Sequence, residues 1–537
     1  MKNNKAARIL NAFFAFSFTV VFLALLFFIL TIGYKNNTER NTYNCTLQEY
    51  IIIIITGIVL TFIFSALYYL LNKNKTRLIK RKLTDSTHQT RIIILISAAA
   101  MLVLQLLAAY FLAAKPTTDL EIINKYALSF AKTGNFDLIQ KNASDGFVYM
   151  IRYPNNLALM FFLSFLYRID YLLTGYVSNY IAAILNTFAI NASVLMTALL
   201  AQKLFGNKKA LMTMLLCALF VPYYTFTPYF YTDTLSMPFF VGALYLFFSA
   251  LRSQTKYKKY VMMAVSGAVT LLGFKMKGSV AILLAVALVY LLLKLGIKKF
   301  ACFALSLVVG FGSMYAVWTT AYKASNIITE EQSDRYEFPA THWIMMGLKG
   351  YGTYTLSDSK YTQRFESKKE KTDATLEIIW GRIEKRNNET DGKRHIDNMF
   401  DHLCKKAVWT WEDGTYYISH HIETPLHKTN ALHSFVLNKG DNHFIYYAYC
   451  CGFQLFLILM MTLSAIRAII KPEINEKVLL RGVVFTIFVF LLIWETRSRY
   501  LYNFTPVFIL LAVDGLDVIK DTVCFVKNRI KPKRKKA

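Results

Sequence analysis

The 537-residue chain is poor in proline, with 10 residues, and poor in acid, with 33 Asp and Glu against 61 Lys and Arg. It has seven cysteines but no C-x-x-C pair and no other metal-type spacing, which excludes a cysteine-based zinc module or a dithiol redox centre. Most of these cysteines lie in apolar runs, where the thiol acts as a small hydrophobe. Cys45 and Cys404 fall in more polar stretches and are the one conceivable pair. Gly/Ser and Pro-rich linkers, low-complexity tracts and short-period repeats are all missing, so the chain is not a string of tethered modules.

Apolar residues, by contrast, make up 55% of the chain and aromatics 15%. Many uncharged runs reach the roughly 20 residues that cross a bilayer core as helix. The sequence therefore predicts an all-α, multi-pass membrane protein. The first run, Asn11–Ile32, exceeds the 7–15 residues of a signal-peptide core and reads as a retained helix. A formal net charge of +28 would point to nucleic acid in a soluble chain. Here it is the expected excess of Lys and Arg in cytoplasmic loops, and no nucleic-acid partner is implied.

Basic clusters fall between alternate apolar runs: Lys2/Lys5/Arg8, Lys73–Lys82, Lys203/Lys208/Lys209, Arg252–Lys259, Lys294/Lys298/Lys299, Arg467–Arg481 and the tail Lys527–Lys536. Placing all of them inside puts loops 34–49, 115–175, 228–233, 274–278, 322–442 and 495–499 outside. Only one span then fits between residues 115 and 203, so the apolar stretch Leu157–Tyr167 must lie along the outer interface instead of crossing. The count becomes about twelve transmembrane helices in the cell membrane, with both termini cytoplasmic. Residues 1–91 hold two N-terminal helices. A membrane core follows at 92–321, with a first outer loop at 115–175. Residues 322–442 form a small extracytoplasmic loop domain, being far longer than an ordinary connection. Residues 443–537 hold the last helices and a basic tail. The spans themselves read as almost free of charge.

The outer loops collect chemistry-bearing residues. "KPTTDLE" places Asp119 and Glu121 just past a helix end. A solvated N-cap explains this pair as well as a reactive carboxylate does. "RYPNN" gives Arg152, Tyr153 and Asn155. "YYTFTPYFYTD" ends in Asp233 and reads alternatively as an interfacial aromatic belt. "GFKMKGS" gives Lys275 and Lys277, which would otherwise be snorkelling anchors. "ETRSRYLYNFTP" gives Arg497, Arg499 and Tyr500. Cations on the outer side run against the charge rule, and acids beside them suggest a site for an anionic substrate. In the loop domain, Ala374–Arg386 and Arg394–Trp411 read as amphipathic helices. "HWIMMGLKGYGTY", with His342 and Trp343, and "WTWEDG" offer aromatic faces for a glycan or for the domain's own core. Adjacent His420 and His421 make a poor metal pair on a regular element.

The order of these motifs resembles the GT-C superfamily of polyprenyl-phosphate-sugar-dependent glycosyltransferases, in particular bacterial relatives of protein O-mannosyltransferases and lipid A aminoarabinose transferases. Asp119 stands where that family has a catalytic acid early in the first outer loop. Arg152–Asn156 is similar to its "YPP"-like stretch, "KLFGNKK" to its basic "LFG" turn, and Asp233 to the Asp that opens a later span. "MKG" (Met276–Gly278) looks like "TKG", and Arg499–Tyr500 looks like the late "RY". The resemblance covers roughly Ile92 to Asp517. It departs in the two extra N-terminal helices and in the acidic pair split by Leu120.

The resemblance implies an inverting glycosyltransferase using an undecaprenyl-phosphate type of lipid-linked donor. Its acceptor would be a glycan, a wall polymer or a protein. Asp119 would be the general base, with Glu121 and Asp233 as supporting acids. Lys275, Lys277, Arg497, Arg499 and Tyr500 would hold the donor phosphate, and Arg152, Tyr153, Asn155, His342 and Trp343 would face the acceptor. No certain cofactor follows; a divalent metal would lack a clear ligand set. Membrane lipids are the remaining partner. Two other classes compete: a lipid-linked glycan flippase or exporter, and a non-catalytic scaffold for cell-envelope assembly.

Overall fold

The computed structural model describes residues 5–37, 43–72, 86–388 and 398–530. The basic cluster Lys73–Lys82 lies outside these residues, as do Lys2 and most of the tail Lys527–Lys536. The longer helices run in chain order: α1 (Lys5–Asn37), α2 (Leu47–Asn72), α3 (Thr87–Phe111), α4 (Thr118–Thr133), α5 (Leu157–Thr174), α6 (Ile181–Phe205), α7 (Asn207–Leu219), α8 (Thr232–Arg252), α9 (Lys256–Met276), α10 (Ile282–Lys294), α11 (Ile297–Ser325), α12 (Lys368–Asn388), α13 (Met399–Trp411), α14 (His443–Ile470), α15 (Glu476–Ile493) and α16 (Thr505–Ile530). Among the described residues there is no strand, only the isolated bridge between Ala114 and Pro425.

Among the described residues, eight helices are long and apolar enough to cross a membrane: α1, α2, α3, α5 with its preceding turn, α6, α8, α11 and α14. The protein is therefore a multi-pass, all-helical membrane protein. Seven of these belong to the expected dozen and α5 does not; of the remaining five, α9 carries lysines in its first and last turns. α7 and α10 have 13 residues each, about 20 Å of helix against a core of roughly 30 Å. α15 and α16 carry buried charges.

Those charges correct the expectation of nearly charge-free spans. Asp514 and Asp517 on α16 pair with Lys209 at 3.1 and 2.6 Å. Asp514 also pairs with Lys477, and Asp517 with Arg467 at 3.2 Å. Buried ions require such partners, and these join α7, α14, α15 and α16 at one end of the bundle, here the Lys209 end.

Packing follows from small residues and amphipathic faces. α8 packs along α9, α9 along α11, and α14 along α16, α2 and α1. At the α9–α11 crossing, a Cβ on Gly267 would strike the Leu307 carbonyl, and one on Gly310 would strike that of Ala264. Only glycine allows these backbones to touch, the usual small-residue solution between apolar helices.

α5 is longer than its apolar stretch suggested and by length could cross. The residues on either side of it are anchored near the Asp119 end. Asn156, just before it, donates to the Tyr149 hydroxyl at 3.0 Å, beside Asp119. Tyr180, just after it, stacks at 5.5 Å on Tyr110 in the last turn of α3. α4 packs antiparallel on α5 through Leu120, Ile123, Ala127 and Ala131, a helical stripe of apolar positions.

The segment 322–442 divides in two. Met345, Leu348 and Ile379 form a small separate core, whereas α13 packs against α1 and α15. Trp411 is buried there among Phe22, Phe488 and Phe508. No disulfide links any of the seven cysteines, so the expected Cys45–Cys404 bridge is not formed.

Candidate functional site

Segments far apart in sequence meet at the Asp119 end. Asp119 sits in the first turn of α4, directly after Thr118, whose φ is +52°. A β-branched residue rarely tolerates the left-handed region. The strain sets the direction in which α4 leaves α3. Helix capping does not account for Asp119: its carboxylate accepts from Tyr231 Oη at 3.1 Å and also from Tyr149. The N-cap Thr117 makes no side-chain cap. Burial, and then the charge of Asp119, push both phenols above their ordinary pKa. They stay protonated and donate.

The Tyr-rich turn is shaped from α6. Asn186 places its amide nitrogen 2.9, 3.0 and 3.1 Å from the carbonyls of Phe226, Thr227 and Tyr229. That fold directs Tyr229 and Tyr231 toward the site and starts α8 at Thr232, with Asp233 buried in its first turn. Lys277 leaves α9 in an extended conformation and its ammonium meets Asp233. Arg499 Nη1 lies 4.0 Å from the other Asp233 oxygen and donates to Tyr229 at 3.3 Å. The guanidinium stands 4.9 Å over Tyr231 and 5.4 Å over Tyr500. Tyr500 in turn donates to Glu495 at 3.0 Å. Burial holds the Lys277 ammonium below its usual pKa and pushes Glu495 upward.

The strip Trp494–Arg499 is fixed by the 322–442 segment. Lys406 donates to the carbonyls of Gly347, Leu492 and Trp494 at 2.7, 2.9 and 2.7 Å. Glu495 N–H donates to Trp343 O, and Thr496 N–H to Gly352 O. Buried Asp413 accepts from Thr415 N–H at 2.9 Å, Thr415 Oγ1 at 2.6 Å, Tyr417 N–H at 3.0 Å and Ser498 Oγ at 2.7 Å. It thereby holds Tyr416 and Tyr417 at positive φ, and Tyr417 lies 4.5 Å beneath Arg497. His421 stacks on Tyr229 at 4.3 Å. Burial, then Arg499, drives its pKa well below the usual value, so it is neutral.

The expected residues therefore sort clearly. Asp119, Asp233, Lys277, Arg499 and Tyr500 converge, with Arg497 beside them. Asp233 is paired with Lys277. Glu121 is exposed and turned away. Lys275 stands over the rings of Tyr315 at 4.9 Å and of Phe274 and Trp318 at 5.7 Å each, apart from the residues gathered on Asp233. Arg152, Tyr153 and Trp343 do meet: Arg152 lies 5.6 Å over Phe338, and Tyr153 is 6.0 Å from Trp343. His342 is fully buried against Thr362 at 2.7 Å and is an internal strut. Asn155 is exposed and bonds only its neighbour Asn156, at 3.3 Å.

Glu495, Tyr149, Tyr229, Asp413 and His421 were not singled out for this site. The only sequence signal was the spacing of Glu495 from Arg497 and Arg499. Among the described residues, no group of three or more His, Cys, Asp or Glu could hold a metal ion.

This architecture defines a helical integral membrane protein with a buried charged site at one end of its bundle. The chain belongs to the family described as "Conserved hypothetical integral membrane protein", whose model matches residues 2–517. No curated protein and no solved structure matches it.

Proposed function

We propose that the protein is a cell-membrane glycosyltransferase that moves a sugar from a polyprenyl-phosphate donor to an acceptor outside the membrane, with both of its termini cytoplasmic. One observation carries this reading: Asp119 and Arg499 share the ring of Tyr231, one through the hydroxyl and the other over the face. A carboxylate able to take a proton and a cation pair able to hold a phosphate thus stand on two sides of one ring. Buried polar atoms with no hydrogen-bond partner among the described residues belong to the same cluster: Asp233 Oδ2, Arg499 Nε and both ring nitrogens of His421. Each such orphan costs about 1–3 kcal/mol when left dry, which favours a bound polar group.

In the proposed reaction Asp119 takes the acceptor hydroxyl proton as the oxygen attacks the anomeric carbon. The bond from that carbon to the phosphate oxygen breaks, and the lipid phosphate leaves with the electron pair. Lys277 and Arg499 offset the charge gained by the leaving phosphate in a partly dry site. Positioned proton transfer of this kind contributes roughly 10²–10⁴ in rate. Arg152, Tyr153 and Trp343, grouped around Phe338, would meet the acceptor.

The test is purified full-length protein with a polyprenyl-phosphate sugar and a hydroxyl acceptor. Release of lipid phosphate coupled to sugar transfer supports the proposal. Translocation of the donor without transfer would establish the exporter reading, and neither activity would leave a scaffold.

A further inference from the structure

The Lys209 end of the bundle holds a cavity of about 620 Å³ that plays no part in the site above. It opens among the first turns of α3, the ends of α6 and α8, and the start of α7. α8 separates the two places: Asp233 is in its first turn and Arg252 at its end, some 19 residues or about 28 Å of helix. That is close to the hydrocarbon thickness of a bilayer, so the cavity lies at headgroup depth on the opposite side.

Its lining is cationic. Arg91, Lys203 and Arg252 face it, and no carboxylate is among the lining residues. Arg252 is compensated from outside by Glu476 at 2.8 Å. Among the described residues no carboxylate pairs with Arg91 or Lys203. Arg91 Nε donates to Gln202 at 3.1 Å, which aligns the guanidinium and engages only one of its nitrogens. Lys203 is half-buried, contacts Ser249, and stands 4.0 Å over the Tyr245 ring. The side-chain amides of Gln202 and Asn207 bond each other at 3.0 Å on the same wall. Below the cations the wall turns apolar. Leu95 lines the cavity and is 51% exposed, continuous with Ile96 at 65% and Ile92 at 40% on the outer face of α3. A half-buried Lys203 and an exposed Arg91 above an exposed apolar helix face suit a ligand with a phosphate at one end and acyl chains at the other.

We infer that this cavity binds the phosphodiester headgroup of an anionic phospholipid, with Arg91 and Lys203 on the phosphate oxygens and the acyl chains along Leu95 and Ile96. The assignment is independent of the reaction proposed for the Asp119 end. Basic pockets between helix ends are a known way of holding anionic lipid, and a half-buried Lys203 beside Arg91 in one cavity makes it a site rather than a diffuse surface charge.

The experiment uses the full chain in nanodiscs or detergent. Thermal midpoint and lipid retained in native mass spectrometry are measured with phosphatidylglycerol, with phosphatidylcholine, and with inorganic phosphate alone. Wild type is expected to retain phosphatidylglycerol over phosphatidylcholine. Arg91→Gln and Lys203→Gln are each expected to weaken that retention by about tenfold or more, the scale of a charge-assisted contact. Lys208→Gln, outside the lining, is expected to change nothing. Arg91 is exposed, so Arg91→Gln keeps the test valid if Lys203→Gln fails to fold. Equal retention of the two lipids by wild type, or unchanged retention in Arg91→Gln, would overturn the site. Stabilisation by inorganic phosphate equal to that by phosphatidylglycerol would overturn the lipid assignment in favour of a soluble phosphate.

Discussion

Removing the Lys277 ammonium is expected to injure two properties that a second substitution can separate. Lys277 and Asp233 form a buried pair, with Asp233 1% exposed. Lys277→Met leaves the carboxylate with Arg499, 4.0 Å away, as its nearest cation. Breaking a buried pair from one side costs about 3–5 kcal/mol. Attraction to Arg499, up to roughly 4 kcal/mol gross at that separation and an effective dielectric of 20, places the loss near the lower end, about 3 kcal/mol. In a chain of this size that lowers the thermal midpoint by a few degrees. Asp233→Asn in the same protein removes the stranded charge, so the double variant should regain all but about 1 kcal/mol. Sugar transfer should not return with it, because the phosphate has still lost a cation worth roughly 1.5–3 kcal/mol, or about 10–150-fold in donor affinity. The assay pairs thermal unfolding in detergent with initial transfer rates over a range of donor concentrations, for both single variants and the double. A double variant no more stable than Lys277→Met would refute the ion pair. One that transfers like wild type would refute the phosphate role.

Asp119→Asn should insert and unfold like wild type yet lose transfer by about 10² or more, whereas Glu121→Gln should transfer nearly normally; initial rates decide. Tyr231→Phe, which removes the hydroxyl donated to Asp119 but keeps the ring beneath Arg499, should reduce the rate by less than Asp119→Asn. The fold around His342 should weaken in acid. Burial lowers its pKa from 6.5 to about 4, so the stability it confers is complete above pH 6.5 and is lost as pH falls through 4, up to roughly 3 kcal/mol. Hydrogen exchange across residues 340–362 at pH 7 and pH 4.5 should show this, and His342→Gln should flatten it. Cysteines placed at Asn135 and Asp170 should both react with an impermeant thiol reagent on intact cells, while one at Lys208 stays silent. Reaction at 208 with silence at 135 would overturn the orientation.

The helices and the short motifs were legible because each is written locally: in apolar runs, in cations at run ends, and in Asp119 beside a helix exit. Five of the expected site residues converge for the same reason, since their depth followed from topology alone. Partnerships were not legible. Nothing around Asp233 says that its ammonium comes from Lys277, some 44 residues on, and read alone Asp233 looked like a reserve base. Lys275 and Lys277 are equivalent in sequence, yet one ends its helix in an extended turn and the other remains within it, facing Tyr315 and Trp318. The buried ions at the Lys209 end escaped notice because Arg481, Asp514 and Asp517 lie near run boundaries, where charge reads as loop. His421 was judged only as a metal ligand. Its role depends on stacking against Tyr229, a contact between residues 192 positions apart.

The three carbonyls gathered by Lys406, the two backbone bonds into Glu495 and Thr496, and the four bonds collected by Asp413 have a consequence for modularity. Residues 322–442 look from the sequence like a cassette that could be trimmed, exchanged or grafted. In the folded protein the boundary runs through the strip that carries Arg497 and Arg499, so a chimera cut at 322 and 442 would lose the alignment of its own guanidinium groups. Specificity for a new acceptor would have to be introduced residue by residue around Tyr153 and Trp343, with Lys406 and Asp413 left in place.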